Sequence, residues 1–197
     1  PVYEDSVKPA AQEIGKALKT LSGLINVALA PVALMNYGFE LIKEDLQKKL
    51  EKRLSRVSLE NIITPPLQVV GPLLDKYKYI FDKEELSQMF VNLLASAMDK
   101  EKVQKAHPSF VNVLSELSPD EAKLVKIFAK EGDIPKIDVR LRFKSRELNK
   151  DEGFVYLLSN FTLLEEQTDL SYPELTSSYL SNLERLNIIS CSRGSFQ

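Results

Sequence analysis

Apolar residues recur at helical spacing through the first two-thirds of the chain, as in Leu46, Leu50, Leu54 and Val57, or Leu86, Phe90, Leu93, Leu94 and Ala97. That period predicts a helical region. Capping signals divide it into separate helices: Thr64 precedes Pro65, Asp82 precedes Glu85, and Ser118-Pro119-Asp120-Glu121 has the form of a capping box with proline at the first helical position. Past Gly132 the period changes. Ile137, Val139, Leu141 and Phe143 alternate with Asp138, Arg140, Arg142 and Lys144, the pattern of a half-buried strand. Helices are expected again around Phe154 to Leu164 and Pro173 to Leu186, after which Asn187 introduces the short apolar run Ile188-Ile189-Ser190-Cys191, read as a second strand.

Helix, strand, helix, helix, strand is the order of a winged-helix-like domain. The expected fold is therefore mainly α, with an N-terminal helical domain over residues 1–117 and a small winged-helix-like α+β domain over residues 118–197.

With 197 residues, 44% of them hydrophobic, the chain can bury a sizeable core without covalent staples. Its formal net charge of -2 argues against a surface devoted as a whole to nucleic acid, so any basic patch must be local. Cys191 is the single cysteine; it cannot form an intrachain disulfide or a cysteine metal cluster, which fits a reducing cytoplasm. The opening PVYEDSV is acidic and lacks the basic run and apolar core of a secretory signal, so export is not expected; Pro1 in place of a methionine leaves a preceding leader open.

From Thr20 to Phe39 there is no charged residue. Twenty residues is about the length that crosses a bilayer core of roughly 30 Å. The segment can be a conditional membrane or partner surface, with Leu24, Ile25, Leu29, Val32 and Met35 as its apolar residues. It can equally be a pair of buried helices, since Pro31 starts or kinks a helix, Gly23 and Gly38 allow close packing, and Ser22, Asn26 and Asn36 dilute the apolarity. The buried reading is favoured. The next segment, Glu40 to Val57, is an amphipathic helix with Ile42, Leu46, Leu50, Leu54 and Val57 inward and Lys43, Lys48, Lys49, Lys52, Arg53 and Arg56 outward. Such a basic face can attach to anionic lipid or nucleic acid. Glu44, Asp45 and Glu51 lie among these cations and can pair with them, which favours an ordinary solvated face.

No catalytic constellation is legible. His107 is the lone histidine, without a nucleophile or second ligand in view, and is read as structural, packing near Phe110 or serving a loop. Carboxylates cluster at helix starts such as Asp82-Lys83-Glu84-Glu85, where they complement the helix dipole. No phosphate-binding glycine loop is present among the seven glycines. In the C-terminal domain the last helix is the one a winged helix places in a DNA groove. Its expected face, Ser177, Ser178, Ser181, Asn182, Glu184 and Arg185, carries one positive charge, too few to neutralise phosphates. The better nucleic-acid candidate is the basic patch Arg140, Arg142 and Arg146.

The blocks IITPPLQVVGPLLD, ELSQMFVNLLASAMD and HPSFVNVLSELSPDE carry a recognisable order and punctuation. Ile63-Thr64-Pro65-Pro66, Asn92 through Met98, His107-Pro108-Ser109-Phe110 and Leu117-Ser118-Pro119 resemble the abortive-infection alpha family, as does the N-terminal YEDSVKPAAQEIGKALKTL, so that the resemblance runs from residue 3 to about 190. It implies a bacterial phage-defence context and brings no catalytic residues with it. The function expected is a non-enzymatic component of that defence, acting through protein contacts, with self-association and conditional membrane association as options. The alternative is a nucleic-acid-binding regulator using the winged-helix-like domain. No cofactor, metal site or small-molecule substrate is evident, and the expected location is the cytoplasm, with membrane association as an addition to it.

Overall fold

The structure, a computed structural model, describes residues 19–30, 38–144 and 151–191. The chain falls into two compact units that meet in sequence between Leu117 and Ser118.

The first unit is helical. Residues 19–30 form helix α1, followed by α2 (Phe39–Leu54), α3 (Leu67–Tyr77), α4 (Glu84–Ala97) and α5 (Ser109–Ser115). Helix α4 is central, packing against α2, α3 and α5 through Phe90, Leu94 and Ala97, all buried. On α2 the buried residues are Ile42, Leu46, Leu50 and Leu54, the stripe that the spacing predicts, and Val57 packs against the same core. Tyr77, fully buried at the end of α3, donates its hydroxyl to Asp45 Oδ2 at 2.6 Å, and burial together with that carboxylate pushes its pKa upward. Backbone bonds from Ile63 N to Met98 O and from Lys100 N to Asn61 O tie the segment before α3 to the end of α4.

Two helix starts differ from expectation. Helix α3 begins at Leu67 with Pro66 as its N-cap, because each proline forces its predecessor into extended geometry and Thr64 is too early to cap. Helix α4 is capped at Lys83, so Asp82 stands one residue outside it. Gly23 faces open space rather than a close packing partner, and Gly38, at φ 68°, serves as the N-cap of α2.

The second unit contains α6 (Pro119–Glu131), strands β1 (Ile137–Lys144) and β2 (Asp151–Phe161), a short α7 (Leu164–Gln167) and α8 (Thr176–Arg185). Ser118 caps α6 as its sequence predicts: Oγ accepts from Glu121 N at 3.2 Å, and Ser118 N donates to Glu121 Oε2 at 2.6 Å.

The winged-helix order is not the one observed. Residues 154–161, expected as helix, form β2, which pairs antiparallel with β1 in a two-stranded sheet. The run Phe154 to Leu158 is continuously apolar and has no period of its own, so the pairing offered by β1 decides its conformation. The expected last strand, Ile188 to Cys191, is not a strand. Asn187 takes the left-handed conformation at φ 55° and closes α8, with Asn187 N bonded to Glu184 O and Ile188 N to Leu183 O. The apolar run therefore folds back on the helix end in a Schellman motif.

Candidate functional site

The β1–β2 hairpin has two chemically different faces. Residues directly opposite on antiparallel strands share a face, and the register places Leu141 opposite Val155, Val139 opposite Leu158 and Ile137 opposite Phe161. With Phe143, these residues form one apolar face, and all seven of them are between 41% and 57% exposed. On the other face Arg140 lies opposite Tyr156 and Arg142 opposite Phe154. The Arg140 guanidinium sits 4.8 Å from the Phe154 ring centroid and 4.7 Å from that of Tyr156, while the two rings meet edge to face at 5.2 Å. Cation–π contact thus holds Arg140 against the sheet.

A two-stranded hairpin is marginal on its own, and this one is anchored at its base. Asn160, at φ 56°, donates to Ser177 O at 3.4 Å and Ser181 Oγ at 3.3 Å on α8, and it accepts from Lys136 Nζ at 2.6 Å. Asp138 accepts the Asn160 backbone N–H at 2.8 Å. Helix α8 is fixed in turn to α6, where Asn182 Nδ2 donates to Glu121 Oε1 at 2.7 Å and the buried Tyr179 hydroxyl donates to Asp120 Oδ2 at 3.3 Å. The α8 face expected to read DNA therefore contacts Asn160 and Glu121.

Asp120 organises this support. Its buried carboxylate accepts the backbone N–H groups of Ser171 and Tyr172 and pairs with Lys123 at 3.1 Å. Burial alone works to raise its pKa, but the Ser171 N–H, the Lys123 ammonium and the Tyr172 N–H together hold it below the usual carboxylate range. Burial and the same carboxylate push the Tyr179 pKa up to about 12.

Of the residues singled out in the uncharged stretch, Ile25 and Leu29 are each 1% exposed and Leu24 is partly buried, all within the core of the first unit; Val32 and Met35 lie outside the described residues. Among the described residues no helix is long and apolar enough to cross a membrane. Arg140 and Arg142 are on the hairpin, and Arg146 lies outside the described residues. His107 accepts the Ser109 N–H through Nδ1 at 3.1 Å and meets Phe110 edge-on, a local role at the start of α5. Among the described residues no group of three or more His, Cys, Asp or Glu could hold a metal ion. The apolar hairpin face escapes a reading of the sequence because the apolar run of its second strand suits a helix equally well; the alternation in β1 is its only signal.

No curated protein and no solved structure matches this chain. The family model described as abortive infection alpha matches residues 38–197, so the N-terminal segment that also resembles the family falls outside the matched region. With most of its length matched, including the whole hairpin unit, the chain belongs to the abortive infection alpha family.

Proposed function

We propose that this protein acts in abortive infection against phage without catalysing a reaction, through protein contacts made by the apolar face of the β1–β2 hairpin, and that a second copy of the chain is the partner of that face. The supporting observation is the uncovered sheet face itself. Seven large apolar side chains, each half-exposed, present an area of roughly 600 Å², large for one apolar patch and close to the ~800 Å² that each partner contributes to a standard interface. These seven side chains offer no charge to complement a charged partner. Packed on itself about a two-fold axis it is self-complementary, and the arginines of the opposite face stay in water. Burial of Leu21, Ile25 and Leu29 in the helical core supports leaving membrane insertion out of this reading. The capture of Arg140 by Phe154 and Tyr156 likewise weighs against phosphate binding as the use of that strand.

Phage challenge of cells carrying the wild-type chain or Leu141→Arg tests the proposal. Protection by the wild type and its loss in a variant with unchanged helical circular dichroism is the expected result. Protection retained by the variant would remove the hairpin face from the mechanism.

A further inference from the structure

A second feature, in the helical unit, is independent of the hairpin. Helices α2 and α4 flank a groove of about 440 Å³ lined by Lys48, Lys49, Lys52 and Arg53 on one side and Glu84 and Gln88 on the other. Arg53 and Arg56 also line an adjoining hollow of about 230 Å³, whose far wall includes Asn92, Ser96 and Lys102. The first volume lies within the range of small-molecule sites.

The charges in this groove are not balanced. Lys49 pairs with Asp45 at 3.0 Å and Glu84 at 3.2 Å, and Lys102 pairs with Asp99 at 2.7 Å. Those ion pairs engage the acids that line the two hollows. The side chains of Lys48, Lys52, Arg53 and Arg56 make no ion pair or hydrogen bond among the described residues. Of the pairings open to the acids on α2, Asp45–Lys49 is the one that forms among the described residues of that helix. Four unpaired cations, three on the C-terminal part of α2 and Arg56 in the turn that follows it, repel one another, and a concave wall concentrates their field in a chain whose overall charge is -2.

Lys48 and Lys52 stand a four-residue step apart on α2, with Lys49 and Arg53 in a parallel row and Arg56 in the turn beyond, so the cations extend roughly 8 Å along the helix from Lys48 to Arg53 and onward to Arg56. That length suits a row of phosphates better than a single one. We propose that the α2–α4 groove binds a small polyphosphate, with Lys48, Lys52, Arg53 and Arg56 on the phosphates.

Titration calorimetry on the full chain, at low and at physiological salt, tests this with ATP, inorganic tripolyphosphate and adenosine as probes. ATP and tripolyphosphate are expected to bind and adenosine not to. In Arg53→Ala/Arg56→Ala, affinity is expected to fall by about tenfold for each charge-assisted hydrogen bond to phosphate that the substitutions remove, and Lys105→Ala should bind as the wild type does. Arg56→Gln, at an exposed position past the end of α2, supplies the same comparison if the double variant does not fold. Absence of binding by either phosphate, or binding unchanged in the arginine variants, overturns the proposal. So does binding of a single-stranded oligonucleotide or of anionic vesicles by a protein that ignores ATP, which would assign the groove to a polymer or a lipid surface.

Discussion

Both carboxylate oxygens of Asp120 accept the backbone N–H of Ser171, at 3.0 and 2.9 Å, across 51 positions of sequence. This bond closes the loop before α8 onto the first turn of α6. Because the folded pKa of Asp120 is held down, its contribution to stability is fully present above the unfolded value of about 4 and is lost as pH falls through the lower folded value. Asp120→Ala should cost about 3 kcal/mol near neutral pH, since it leaves buried N–H groups and a lysine without their partner. Urea denaturation of the two proteins should converge as pH falls below about 4; a gap that persists there would contradict the electrostatic assignment.

Ile25 and Val27 stand two residues apart on α1 at 1% and 75% exposure. Ile25→Asp should therefore destabilise by more than about 3 kcal/mol, as expected for a carboxylate in a packed core, and Val27→Asp should stay within about 0.5 kcal/mol. Thermal melts of the two variants decide it, and equal effects would mean that the buried stripe of α1 is misassigned.

Asn160 combines a left-handed backbone with the side-chain bonds that hold the hairpin to α8. Asn160→Gly keeps the conformation and loses the clamp, whereas Asn160→Ala loses both and should cost roughly 1 kcal/mol more. Amide exchange in β1 and β2 should accelerate in both variants, with α3 and α4 unchanged. Uniform acceleration throughout the chain would show that Asn160 acts on global stability instead.

The parts of this molecule that follow from local chemistry are legible in the sequence. The stripe of Ile42, Leu46, Leu50 and Leu54 buries as its spacing requires, and the Ser118–Glu121 box forms in both directions. Strand β2 is not legible, because Phe154 to Leu158 is apolar without alternation and its conformation comes from the partner strand, a non-local term. The groove is hidden for a different reason. Whether Glu44 or Glu51 neutralises a neighbouring cation depends on side-chain geometry, and sequence spacing shows only that such pairs can form. The hairpin face combines both difficulties, since it exists only once both strands are known to be strands.

Self-association through that face is the central claim, and sedimentation velocity of the full chain over a wide concentration range measures it most directly. Wild type should shift from monomer to dimer with rising concentration, while Leu141→Arg, which places a charge at the middle of the apolar face, should remain monomeric with its secondary structure intact. A wild type that is monomeric at every concentration, or a variant that dimerises equally well, would contradict the account.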